Sequence, residues 1–426
     1  MLRAQRRLER MSLAWRPVFS GDLAAQMLAI VDDIADATAG PVEPPGNLPA
    51  EDAPAWRCSL DALAGQSLLH AYLALHGGAE ARADTAIALL DQATDAAGEL
   101  TLTPSLYFGF AGISWVATHL AGRLFEETQD NCLEVDEVLL ATLADPLWNA
   151  RYELLSGVVG MGVYARERLP RPSAVRLIEA VVGRLEACAE RSAAGAAFFS
   201  PVETLSPEYH DAAPRGWYNL GLAHGVAGVI SFLGSLCRIG VAVDRAAPLL
   251  ADAVAWLLAR ELPPGGNFRF KSTYTPGRDV DVCRLGWCHG DLAVATALLV
   301  AARGAGEPSW EQHARRIARS VAALTVDGTQ VPDAGLCHGA AGIGHLFNRL
   351  YQETDDPALG EAARMWLRKA VAMREPGQGI GGYQLFERGH KYDNPGFRVG
   401  SSGIALALLA AASPVSPDWD RLLLAS

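Results

Sequence analysis

The sequence predicts an all-α fold, an α/α toroid: a double-layered ring of seven inner and seven outer helices. Three observations predict it. A Gly-x-x-Gly motif recurs along the chain, an apolar run at helical spacing follows each copy, and amphipathic segments of period 3.6 separate the copies. Self-similarity of this kind marks a repeat architecture, in which each unit buries its apolar face only against its neighbours.

Taken in order, the copies with an aliphatic residue or Met after the second glycine are GFAGI from Gly109, GVVGM from Gly157, GVAGV from Gly225, GAAGI from Gly339 and GSSGI from Gly400. GDLAV from Gly290 keeps the first glycine and replaces the second by Ala293, and LAGQSLLHAYL around Gly65 is a weaker, earlier copy. Ile113, Val116, Ala117 and Leu120 share a helical face behind one copy, as do Val229, Phe232, Leu233 and Leu236 behind another. APLLADAVAWLLAREL and EQHARRIARSVAALT read as partner helices with one wet face.

Glycine inside a helix costs about 1 kcal/mol relative to alanine, so a repeated pair needs a reason. Close approach supplies one: without a Cβ, the first turns of several helices can crowd together at one end. Closing the ring also removes the exposed ends that an open solenoid, the alternative these patterns allow, has to cap. The toroid takes residues 1–426 as a single domain. Segments near 190–218, 261–285 and 374–397, rich in Pro, Gly, aromatic and polar residues, read as long ordered loops, which in a compact fold usually carry function.

Half of the 426 residues are apolar and a fifth charged, the balance of a chain with a large core. A formal net charge of −12 argues against nucleic acid, whose phosphates demand a basic face. Seven cysteines, an odd number without the dense spacing of a disulfide scaffold, point to the reducing cytoplasm. The basic start, MLRAQRRLERMSLAWRPVF, lacks the apolar core of a secretory signal and reads as a solvated helix. DLAVATALLVAA falls short of the roughly 20 apolar residues of a membrane span, so no membrane insertion is expected.

If the repeats superpose, the offset from the first glycine fixes a residue's place at the helix mouth. The residue just before that glycine is Phe108, Ser156, His224, His289, His338 and Val399 in successive copies. Two of the three histidines follow a cysteine, Cys288 and Cys337. Neighbouring repeats bring these five side chains together, and thiolate plus imidazole is a donor set zinc prefers; three protein ligands leave a fourth position open, the layout of a catalytic site. Helix N-termini lower the pKa of a nearby thiol and reinforce the reading. Cys58, Cys132, Cys188, Cys237 and Cys283 share no such offset and read as small hydrophobes.

These motifs, GLAHG (Gly221 to Gly225), WCHG (Trp287 to Gly290) and CHGAAGIG (Cys337 to Gly344), with the glycine copies over essentially the whole chain, resemble the LanC-type lanthionine synthetase cyclases. The resemblance implies an α/α toroid holding one Zn2+ through Cys288, Cys337 and His338. It implies the reaction too: a peptide cysteine adds to a dehydroalanine or dehydrobutyrine and leaves a thioether ring. His224 matches the family's acid–base histidine, and Arg284, four residues before Cys288, matches a group that stabilises the enolate.

One stretch departs from the pattern. Where the family carries an Asp, in a stretch like DVIxGxxG, this chain has ELLSGVVG with Glu153. That residue either orients the histidine or merely complements a helix dipole. His289 shares the offset of His338, yet the resemblance gives it no metal, so a supporting or inward-packed role is expected. Trp287 either lines the substrate entrance or is a buried aromatic.

The expected function is that of a stand-alone zinc-dependent cyclase acting on a dehydrated precursor peptide, with a separate dehydratase as its partner. The alternatives are a LanC-like enzyme adding glutathione or another thiol to dehydroamino acids in proteins, and a non-catalytic zinc-binding peptide scaffold.

Overall fold

Each glycine motif from Gly109 onward opens a helix. The computed structural model describes residues 14–426 except 47, 127–128, 147, 149–150, 279–282, 284, 325–328 and 330. Of the stretch 1–19 expected as a solvated helix, residues 1–13, like Arg284, lie outside the described residues; residues 14–19 are not helical, and Trp15 and Phe19 are buried, their apolar rings packing inward.

Among the described residues the helices, numbered in chain order, are of two kinds. Seven are buried along most of their length: α3 (Leu63–Gly77), α5 (Phe110–Leu120), α7 (Val158–Glu167), α9 (Val226–Ile239), α11 (Asp291–Ala305), α13 (Ala340–Thr354) and α15 (Ser401–Ala412). Seven more bury one face: α1 (Gly21–Ala37), α4 (Glu80–Gly98), α6 (Leu133–Ala144), α8 (Pro172–Cys188), α10 (Val243–Leu258), α12 (Pro308–Ala322) and α14 (Pro357–Ala372). α2 (Ala53–Cys58) is a short addition. The two kinds alternate as the sequence predicts, because an apolar helix needs cover on all sides and an amphipathic one on a single side.

Two compact units emerge among the described residues, one from 133–325 with 420–426, the other from 12–132 with 326–419. In the first, α7 packs on α8, α9 on α10 and α11 on α12. In the second, α3 packs on α4, α13 on α14 and α15 on α1. Reversals within a pair are tight: Gly78, Gly240 and Gly306 end α3, α9 and α11 in the left-handed conformation that glycine adopts without strain. Glu307 and Asp356 then cap α12 and α14, accepting from the backbone N–H of Ser309 and Ala358, with Pro308 and Pro357 at the first helical position.

The glycine pairs do allow close approach, but the partner differs from the one expected. A Cβ on Gly112, Gly342 or Gly403 would lie 1.9, 1.8 and 1.9 Å from the carbonyl oxygen of Leu106, Leu336 and Phe397, each six residues earlier. On the first glycines, Gly109 and Gly157, it would lie 2.0 and 2.1 Å from Thr103 O and Arg151 O. The chain entering these helices folds back over the helix's own first turn, instead of the turns of several helices crowding together. Its carbonyls take the otherwise orphaned N–H groups: Phe110 donates to Thr103 O, Val158 to Arg151 O, Ala340 to Asp333 O and Ser401 to Asn394 O, at 2.9–3.1 Å.

The loop segments hold more regular structure than expected. β1 (Ala189–Ser192), β2 (Gly195–Pro201), β3 (Gly216–Asn219) and β4 (Thr273–Tyr274) form one antiparallel sheet in that order, and β5 (Leu385–Glu387) pairs with β6 (His390–Tyr392) as a hairpin. Among the described residues no helix is long and apolar enough to cross a membrane.

Candidate metal centre

In three repeats the incoming turn is a tight, self-bonded unit. Asn219, Asp333 and Asn394, each six residues before a first glycine, accept with Oδ1 from the N–H two residues on, Gly221, Gly335 and Gly396, at 2.9, 2.9 and 2.8 Å. Such Asx turns fix the backbone that carries the last two residues before the helix. Successive turns are also linked. Leu154 N–H donates to Ala223 O and Ala223 N–H to Cys288 O; in the other unit Cys337 N–H donates to Arg398 O and Phe397 N–H to Leu60 O. Side chains at one offset are thereby held on rigid backbone.

At that offset the ligand atoms of Cys288, Cys337 and His338 all lie within 4.8 Å of one another, both cysteines buried and the histidine half-buried. Ligands about 2.3 Å (sulfur) and about 2.0 Å (nitrogen) from a tetrahedral zinc stand roughly 3.5–3.8 Å apart, so two thiols and an imidazole gathered within 4.8 Å suit the ion in number and type and lie near the spacing it requires. The other five cysteines form no disulfide; Cys58, Cys132 and Cys237 are buried and Cys188 and Cys283 half-buried. None of them joins this group.

His289 takes another course. Asn219 Nδ2 lies 3.1 Å from its Nε2, and its ring stacks at 5.9 Å on that of His224. The backbone differs at the same place. Gly339 caps α13 at φ −95°, whereas Gly290 caps α11 at φ +93°, ψ −172°, a region reached essentially by glycine alone. Trp287 is fully buried and its Nε1–H donates to Leu423 O at 2.8 Å, which makes it the packed aromatic of the two alternatives.

His224 is half exposed, and its Nδ1 stands 3.4 Å from Glu153 Oε2, which is nearly buried. The Glu153 carboxylate also accepts from Leu155 N–H, Ser156 N–H and Ser156 Oγ–H, at 2.8, 2.8 and 2.7 Å. Burial pushes its pKa up, but the bond and charge of His224 and the bonds from Ser156 outweigh burial and hold it below the ordinary value. Glu153 thus caps its own turn and faces the histidine at once. Asn219 was not singled out from the sequence, although Asn or Asp six residues before a glycine recurs in three copies, in NLG, DAG and NPG.

This chain belongs to the lanthionine synthetase C-like family, whose model matches residues 60–424. Among solved structures, nisin cyclase superposes with a TM-score of 0.75 over 95% of this chain and 98% of that one, at 17% identity. That likeness shows the fold, and the all-α α/α toroid expected from the sequence is borne out. A curated relative, the zebrafish (Danio rerio) protein described as glutathione S-transferase LANCL1, is 28% identical over 144 residues, a stretch of 33% of each chain. The match spans only a third of that relative's length.

Proposed function

We propose that the chain is a zinc-dependent lanthionine cyclase, a stand-alone enzyme of the cytoplasm that closes thioether rings in a peptide dehydrated by a separate protein. The observation that carries the reading is the convergence of Cys288, Cys337 and His338, accompanied by the Glu153–His224 pair. Family membership and a fold shared with nisin cyclase support it. Seven cysteines with no disulfide among them suit a reducing compartment.

In the reaction a peptide S–H adds across the C=C of a dehydroalanine or dehydrobutyrine. The C–S bond forms at the β-carbon, the π bond opens toward the carbonyl, and a proton ends on the α-carbon, leaving the composition unchanged. Zinc held by Cys288, Cys337 and His338 would supply the Lewis acidity that keeps the incoming thiol ionised at neutral pH. The chain's own residues do the rest. With a proton on Nδ1 facing Glu153, His224 presents Nε2 to take the thiol's proton or deliver one to the α-carbon. Glu153 fixes that tautomer and steadies the imidazolium, its own position set by three bonds from the 155–156 turn. Arg284 is assigned to the enolate oxygen on the family resemblance.

Incubation with a dehydrated peptide containing cysteine tests the reading. Because cyclisation leaves the mass unchanged, the readout is loss of thiols that react with N-ethylmaleimide, alongside zinc content by elemental analysis. One zinc per chain with thiol loss is expected; thiols that persist at the uncatalysed level overturn it. The relative described as a glutathione S-transferase favours a second reading, addition of a small thiol to dehydroamino acids. A dehydrated peptide without cysteine, given glutathione, separates the two: a mass gain of one glutathione identifies the second.

A further inference from the structure

Arg398 stands two residues before Gly400, the offset that Cys288 and Cys337 occupy in their own repeats. Its carbonyl accepts the Cys337 N–H at 2.9 Å, so the two residues are backbone neighbours. The guanidinium is anchored on one side: Nη2 donates to Asp61 Oδ2 at 2.9 Å and the Arg398 N–H to Asp61 Oδ1 at 3.2 Å, with the Asp61 side chain 3% exposed. Phe108, 40% exposed and at the offset of His338 in its own repeat, lies with its ring centroid 5.5 Å from Arg398 Cζ.

The fork is far from satisfied. Asp61 is its hydrogen-bonding partner, Nε is buried without one, and the side chain is still 22% exposed. That leaves Nη1 as the donor group open to a ligand. Burial works against the charge, but Asp61, and after it the sulfur of Cys337, raise the pKa further, so the group is a permanent cation within electrostatic reach of a candidate metal ligand.

A planar cation, held rigid and half-used beside Cys337 under an exposed aromatic ring, suits an oxygen acceptor close to a sulfur. We propose that Arg398 binds the carbonyl or carboxylate oxygen adjoining the substrate thiol, so that the sulfur is delivered beside Cys337 in one orientation, with Phe108 covering the contact. The proposal rests on the cyclase reading and adds a substrate-binding residue outside the Cys-His motifs.

The test uses the full-length protein loaded with Co2+, whose visible spectrum reports thiol binding without turnover. Three probes are titrated: N-acetylcysteine N-methylamide, a mimic of cysteine within a peptide; N-acetylcysteine, whose carboxylate mimics a small thiol; and ethanethiol, which has neither oxygen. Wild type is expected to bind at least one cysteine derivative about 10-fold more tightly than ethanethiol, the effect of one hydrogen bond from a charged donor. Arg398→Met should abolish that preference and leave ethanethiol binding unchanged, and Arg398→Lys should restore part of it. Preference for the methylamide points to a peptide cysteine, and preference for the carboxylate alone to a small thiol acid.

A preference that survives in Arg398→Met overturns the proposal while leaving the cyclase reading intact. If no thiol perturbs the wild-type spectrum, the cyclase reading fails and takes the proposal with it. Should Arg398→Met lose cobalt, Arg398→Lys decides: bound cobalt with the preference retained supports the proposal, and bound cobalt without it overturns it.

Discussion

GWCHG, residues 286–290, and GLCHG, residues 335–339, differ at one position in five, yet their histidines part ways. His338 lies with both cysteines in the candidate metal cluster; His289 turns to Asn219 and stacks near His224. The divergence is backbone in origin. Gly290 sits at φ +93° and Gly339 at φ −95°, and the residue after each glycine does different work. Asp291 accepts the N–H of Arg269 and Phe270 at 2.7 and 2.8 Å, fastening the segment before β4 to the start of α11. Ala340 has no side chain to do so. A motif therefore specifies the chemistry available at a helix mouth, and the dihedral of its last glycine selects which of its side chains meet.

The largest expected effect breaks the comparison directly. His338→Ala should lower bound zinc from one equivalent to below about 0.1, because two ligands hold the ion far less well than three. His289→Ala should keep its zinc. Elemental analysis of both purified variants checks this, and equal zinc contents in the two would refute the asymmetry. Cys337→Ala and Cys288→Ala should both behave like His338→Ala.

Next in size is the acid–base pair. His224→Ala is expected to retain metal and slow ring closure by roughly 10²- to 10⁴-fold, the range for removal of a general acid–base group. Glu153→Gln should slow it less, since the amide oxygen still accepts from Ser156 N–H and Oγ–H, while its NH2 neither accepts from Leu155 N–H nor steadies an imidazolium. Single-turnover thiol loss gives both rates; a Glu153→Gln rate equal to wild type would confine that residue to its turn.

Much of this was legible in the sequence. Glycine pairs three positions apart at the start of apolar runs mark helix starts because few other contexts tolerate them, and Cys-His at one offset in adjacent repeats marks convergence. What stayed hidden depends on the third dimension. The sheet is made of strands of two to seven residues in Pro- and Gly-rich chain, with Tyr218 paired to Tyr274 across more than fifty residues, so no local alternation announces it. The glycines point to close approach without saying to what, and the answer, each helix's own incoming turn, needs coordinates. Arg398 shares the offset of Cys288 and Cys337 but not their residue type, and the turn-to-turn bond from Cys337 is what sets it beside the site.

Asp291 sharpens the comparison through pH. Burial, set against the bonds from Arg269 and Phe270, raises its pKa to about 6. A carboxyl whose folded pKa lies above its unfolded value holds its proton more tightly in the folded state, so its contribution to stability is greatest at low pH and declines as pH rises from about 4 through about 6. The decline amounts to about 3 kcal/mol at most. Asp291→Asn should flatten it, with urea midpoints at pH 4, 5, 6 and 7 as the measurement, whereas a charge introduced by Ala340→Asp finds no counterpart turn and should only destabilise.

The smallest effect isolates the glycine itself. Gly290→Ala places a Cβ on backbone at φ +93°, ψ −172°, a strain of roughly 1–3 kcal/mol. Two routes relieve it. If the backbone holds, the chain loses that stability and His289 stays on Asn219; if it relaxes toward the φ of Gly339, His289 is released and Gly290→Ala becomes a partial mimic of the other motif. Denaturant midpoints measure the first, and the second appears as a change in the cobalt spectrum when His289→Ala is added to Gly290→Ala. A double variant with the spectrum of Gly290→Ala alone shows that the histidine remained on Asn219, and that the rigid incoming turn, more than the glycine, decides which side chain faces the metal.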